Sequence, residues 1–198
     1  SNGNIVKSNR YLNEGDSDIV IRDINAMSIL NKVRRKKEMT FDSIVSKRNP
    51  FNIIGNIDDY VTTQKSRRKI LCRYNHTRQV MYLKDSININ RNVDVIPKYK
   101  LFISKADGAA GQLGNPIPAR IIGKPEIGEP YTICSETFLC IFTSGEQEAL
   151  KIVEYMKTKF FRFMVGIRKN KNMTHDTYSF VPLHKTEDVF YEASCARL

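Results

Sequence analysis

From Ala149 to Ile167, apolar residues recur at steps of three and four, and no other segment constrains the fold as strongly. Ala149, Ile152, Val153, Met156, Phe160, Phe163, Met164 and Ile167 fall on one side of a 3.6-residue helix, a stripe that demands burial. Lys151, Lys157, Lys159, Arg162 and Arg168 lie outside it. Ser144, followed by Gln147, reads as a capping box that starts the helix. A break near Thr158 would divide the run into two consecutive helices. A second amphipathic pattern (Ile24, Met27, Leu30, Val33) predicts a helix from about Asp23 to Lys36. It ends in Arg34-Arg35-Lys36-Lys37, where cations suit the negative end of the macrodipole. Thr40 is placed to cap a short helix through Phe41, Ile44 and Val45 that stops before Pro50.

Between these helices the pattern is that of strands. Lys69 to Tyr74 and Gln79 to Lys84 alternate apolar with polar residues and are joined by a loop, Asn75-His76-Thr77-Arg78. Val93 to Ile96, Lys100 to Ser104, Arg120 to Gly123 and Tyr131 to Phe142 continue the strand-like material, with Tyr178 to Leu183 as a last extended segment. The stretch Lys105 to Gly114, with Gly108, Gly111 and Gly114, reads as a loop. Strands and helices without a regular βαβ alternation predict an α+β fold, with a mixed or antiparallel sheet and flanking helices. Residues 1–66 read as a mainly helical N-terminal lobe, and residues 67–198 as an α+β domain.

The 198 residues are 41% hydrophobic, enough to build a core. Lys and Arg number 32 against 21 acidic residues, a net charge of +11. That excess points to a polyanionic partner, of which nucleic acid is the commonest. The sequence shows neither a membrane-spanning run nor a secretory signal, so a membrane partner is not expected. Cys72, Cys134, Cys140 and Cys195 form no CxxC pair, and His76, His175 and His184 are scattered. A zinc site is therefore not expected. Cys134 and Cys140 read as buried thiols, which suits a reducing, cytoplasmic compartment.

The chain lacks the residue patterns of the enzymes that such a charge might suggest. No Asp-x-Lys or Glu-x-Lys occurs, although common metal-dependent nucleases use that pair beside their Mg²⁺. Neither GxGxxG nor a Walker-type GxxxxGK loop occurs. The loop from Gly108 to Gly114 is followed by Pro116 and Pro118, not by a clear helix, so it lacks the dipole that phosphate sites use. A methyltransferase acting on the adenine amino group needs an Asn/Asp-Pro-Pro-aromatic tetrapeptide. Asn49-Pro50-Phe51 is one proline short and reads as a turn.

Several stretches nonetheless resemble the C-terminal region of adenine-specific DNA methyltransferases of restriction–modification systems, in which methylase and often nuclease share one chain. They are KTKFFRFMVGIRKN (Lys157 to Asn170), YSFVPL (Tyr178 to Leu183), LFISKADGAAG (Leu101 to Gly111) and IGKPEIGEPYTICSETFLCI (Ile122 to Ile141). Weaker matches are IRDINAMSILNKV (Ile21 to Val33) and FDSIVSKRNPF (Phe41 to Phe51). The resemblance implies a target-recognition-domain-like fold that holds double-stranded DNA. It also implies an N-terminal catalytic domain as a partner within the full-length protein, using S-adenosylmethionine. This chain carries neither the cofactor motif nor the catalytic one, so no cofactor and no catalytic residue is expected in it. Two rival readings are the recognition part of a restriction endonuclease, and an RNA-binding or protein-scaffolding module.

Candidate DNA contacts follow from side-chain chemistry. Lys105 offers a phosphate partner, and Gly108 and Gly111 let the backbone approach closely. In Arg168-Lys169-Asn170-Lys171-Asn172, Arg and Asn suit bidentate contacts with guanine and adenine. Arg120, Lys124 and Arg162 would add phosphate contacts. Phe160, Phe161 and Phe163 are assigned to the core, because helical periodicity already accounts for two of them.

Overall fold

A computed structural model describes residue 21 and residues 24–106, 121–169 and 172–183. In chain order the elements are helix α1 (Ile24–Arg35), strands β1 (Val61–Thr62), β2 (Lys69–Tyr74), β3 (Thr77–Leu83), β4 (Lys100–Ser104), β5 (Glu126–Gly128), β6 (Thr132–Cys134) and β7 (Phe138–Phe142), and helices α2 (Glu146–Lys157) and α3 (Lys159–Arg168). The fold is α+β, with two small sheets. One is ordered β1-β3-β2-β6, with β2 antiparallel to β3 and parallel to β6; the other is ordered β5-β4-β7 and is antiparallel throughout.

The second sheet is the wall between two cores. All five residues of β4 are buried. Because side chains alternate across a strand, Leu101 and Ile103 of β4, with Leu139 and Ile141 of β7, face the helices and pack with Met27, Leu30, Ile152 and Met164. Phe102, Phe138 and Cys140 face the other sheet and pack with Ile70, Leu71, Leu83 and Ile133. The register pairs like with like: Leu101 opposes Ile141, Ile103 opposes Leu139, and Phe102 opposes Cys140. Residues assigned from sequence to a separate lobe, 1–66, contribute to both cores: Leu30, Phe41 and Val45 to the first, Phe51, Ile53 and Val61 to the second.

Several local expectations are corrected. The β2–β3 turn uses two residues, not four: Asn75 and His76 both have positive φ, 47° and 62°, as a two-residue turn matching the strand twist requires. Val93 to Ile96 is not a strand. Asn92 adopts the left-handed region and opens a 3₁₀ turn over Val93–Val95. Residues 121–123 form no strand either; pairing starts after Pro125, at Glu126. There Gly128 is needed for space, since a Cβ would meet the Phe102 ring at 2.3 Å. Tyr131 to Phe142 breaks into β6 and β7 at residues 135–137. Of the segment Tyr178 to Leu183, expected to be extended, Tyr178 ends a 3₁₀ turn (His175–Tyr178), and the chain pairs only at Pro182, which bridges Thr40. The helix starting after Ser144 is N-capped at Gly145, and Glu148 supplies the carboxylate that accepts from the Ser144 amide.

The break at Thr158 changes which phenylalanine is buried. Thr158 is extended (φ −64°, ψ 149°), ends α2, and caps α3 by accepting from the Phe161 amide at 3.1 Å. A helical phase carried across this residue is therefore wrong by the rotation it introduces. Phe161, outside the predicted stripe, is 0% exposed, whereas Phe163, inside it, is 38% exposed. Phe161 meets Phe41 and Tyr155 edge-on, with centroids at 4.9 and 5.0 Å. We expect Phe161→Ala to cost about 3–5 kcal/mol of stability, as for other buried phenylalanines. Phe163→Ala should cost about 0.5 kcal/mol or less. Urea unfolding midpoints measure both, and equal losses would mean that the phase is misplaced.

Candidate nucleic-acid interface

Beyond the ends of β4 and β6, three backbone segments are bonded side by side. The amide of Lys105, the residue after β4, donates to the Thr137 carbonyl at 3.0 Å, and the Lys105 carbonyl accepts from the Met173 amide at 2.8 Å. Met173 is buried, and the turn after it is closed by a capping box between Thr174 and Thr177. Lys105, Glu136 and Asn172 are thus carried on one shelf fixed by main-chain bonds. A cleft of about 760 Å³ lies over it, and Lys47, Arg48 and Arg73 enter from other parts of the chain.

The fold explains why those cations arrive there. Val45 bridges Ile141, and Ser46 donates to the Cys140 carbonyl at 2.7 Å while its hydroxyl accepts from the Cys140 amide at 2.9 Å. Residues 45–46 thereby lie along β7, and the next two, Lys47 and Arg48, are exposed. Arg73 is the first exposed residue of β2 after buried Ile70, Leu71 and Cys72. Its guanidinium donates to the His76 carbonyl at 3.3 Å.

Four cations line the cleft against two carboxylates, Glu136 and Asp176. Asp176 is paired with the His175 ring, Oδ1 to Nδ1 2.9 Å. Burial pushes the Lys105 ammonium below its ordinary value; the Glu136 carboxylate opposes that shift and Arg48 adds to it. The arrangement suits a phosphate-bearing ligand, whose charge would relieve the crowding of Lys105 and Arg48.

Of the contacts expected from sequence, the structure brings Lys105 and Asn172 into this cleft. Lys124 is exposed on the approach to β5. Arg162 lies on the outer side of α3, where its Nε donates to the Thr158 carbonyl at 3.3 Å. Arg168 stacks on the Phe180 ring at 4.9 Å, and Arg34 on the same ring at 5.0 Å. Lys169 donates to the Ile121 carbonyl. Gly108, Gly111, Arg120, Asn170 and Lys171 lie outside the described residues. Sequence reasoning missed Lys47, Arg48, Arg73 and Glu136. Their sole signal was local polarity, because their convergence depends on pairings between distant segments.

One cation is withdrawn from the surface. Lys100 is 0% exposed, and its ammonium donates to the carbonyls of Ile96, Glu129 and Thr132 at 3.0, 3.4 and 3.1 Å. Burial lowers its pKa to about 8. Cys72, Cys134 and Cys140 are free and buried. Burial raises Cys72 to about 11 and Cys140 to about 12, with Cys134 also well above the ordinary value. Among the described residues no group of His, Cys, Asp and Glu could hold a metal ion, and no helix is long and apolar enough to cross a membrane.

No family model matches the chain, and no curated protein matches it significantly in sequence.

The Cys140 thiol gives a pH signature. Its folded pKa lies above the unfolded value of 9.0, so its contribution is whole below pH 9 and is lost as pH rises toward the folded value. Cys140→Ala should be less stable than wild type at pH 8, because of the cavity. That gap should narrow by about 1.4 kcal/mol per pH unit above pH 9. Urea titrations from pH 8 to 10.5 read it directly, and a constant gap would contradict the burial of this thiol.

Proposed function

We propose that this chain is a duplex-DNA target-recognition region serving an S-adenosylmethionine-dependent adenine methyltransferase of a restriction–modification system, with methyl transfer performed by residues outside this chain. The observation that carries the reading is the convergence of Lys47, Arg48, Arg73 and Lys105 in one cleft with Asn172. Four cations from three separate segments are suited to a line of phosphates, and an amide among them is suited to an adenine edge. The net charge of +11 supports the same class of partner. The sequence resemblance supplies the finer part of the reading: the methyltransferase and its restriction–modification setting. In this reading the cleft positions the duplex, and a separate catalytic domain extracts and methylates the adenine.

The test is affinity for duplex DNA against salt. Each phosphate neutralised contributes about −0.9 to the slope of log K on log salt, so four cleft cations predict a slope of about −3 to −4 from this site. Arg48→Ala should flatten the slope by about 0.9 and weaken all duplexes alike. Arg162→Ala, outside the cleft, should leave the slope unchanged. Asn172→Ala should keep the salt dependence while relaxing preference at an adenine. Salt-independent binding, or tighter binding to RNA than to duplex DNA, would overturn the reading.

A further inference from the structure

Glu136 is out of place in a cleft proposed to hold phosphates. It is partly buried and lines the same cleft as Lys105 and Arg48. Asp176, the other carboxylate, has its oxygen taken up by His175. Among the described residues the Glu136 carboxylate makes no hydrogen bond and no ion pair within 4 Å, and it acts electrostatically on Lys105. The residue's position is fixed from both sides. Thr137 bonds Lys105 through the backbone, and the Ser135 and Thr137 hydroxyls meet at 2.8 Å across it. These bonds fix the backbone at residue 136; the carboxylate it carries into the cleft repels phosphate oxygens and can only accept hydrogen bonds. The donors that the major groove offers to such a group are the exocyclic amines of cytosine and adenine; adenine sets an N7 acceptor beside its amine, which a carboxylate does not match, so the pairing for Glu is the N4 amine of cytosine.

We propose that Glu136 is a specificity-determining residue that accepts from the N4 amine of one cytosine in the target, while the surrounding cations hold the flanking phosphates. This deepens the duplex-recognition reading and rests on it. The carboxylate has two effects at one base position. It gains a charge-assisted bond from cytosine, and it faces the acceptor atoms of guanine or thymine without a donor. Asn172, on the same shelf, would read a neighbouring adenine.

The experiment is selection from a randomised duplex library by the 198-residue chain and by Glu136→Gln, with urea midpoints confirming that both are folded. Wild type should enrich cytosine at one position by about tenfold or more, the range of a single good base contact. Glu136→Gln should lose that enrichment and shift the position toward adenine, whose edge an amide matches. It should also bind non-selected duplex a few-fold more tightly, because a repulsive charge has gone. Glu136→Ala should lose the cytosine without gaining adenine. If both variants change the affinity of all sequences equally and leave the selected sequence unchanged, Glu136 merely supports Lys105 and the proposal is overturned, while duplex recognition stands. If wild type shows no salt-dependent duplex binding, the underlying reading fails instead.

Discussion

Both cores of the described residues depend on the pairing of β4 with β7. Leu101, Phe102 and Ile103 are each at most 2% exposed, and they serve two cores because neighbouring side chains point to opposite faces. Burying such side chains stabilises a fold by about 1.5–3 kcal/mol each, so this short pair is a major contributor to both sides at once. It also sets the geometry beyond its ends. Lys105 follows directly from β4. Residues 45–46 run along β7 and deliver Lys47 and Arg48. The turn at Glu136–Thr137 lies between β6 and β7.

The distribution of charge follows from the same wall. Lys100 begins β4 on the face shared with Phe102, so its ammonium must be satisfied inside. Three carbonyls do this, and the group is thereby excluded from any role toward solvent. Lys105 lies one residue beyond the strand and is only partly buried. There it keeps its charge near a surface where Glu136 and Arg48 act on it in opposite directions. Two lysines five residues apart have different surroundings because one lies inside the strand and the other just past its end.

Much of the architecture was legible in local pattern. The helix predicted from about Asp23 to Lys36 is found at Ile24–Arg35, and the strands Lys69–Tyr74 and Lys100–Ser104 have the predicted bounds. Each has a clean period or a continuous apolar run. The failures have a common cause. Phe161 and Phe163 were distinguished by a helical phase that Thr158 resets. Val93 to Ile96 has strand-forming composition, but the left-handed Asn92 turns the chain before pairing can begin. The candidate site was less legible still: Lys105 and Asn172, singled out by their chemistry, line the cleft, while Arg73 and Glu136 carry no local mark beyond polarity.

The sequence by itself determined the class of elements, the α+β composition and a net positive charge that favours a polyanion. These depend on periodicity and counting, which act over a few residues at a time. Only the tertiary structure decided which cations face one another. Lys47, Arg48, Arg73, Lys105 and Asn172 come from four segments spread over more than half the chain. They meet through backbone bonds such as Lys105 to Thr137 and Met173 to Lys105, which bring together residues that are far apart in the chain. No periodicity within a segment can encode a neighbour supplied by another.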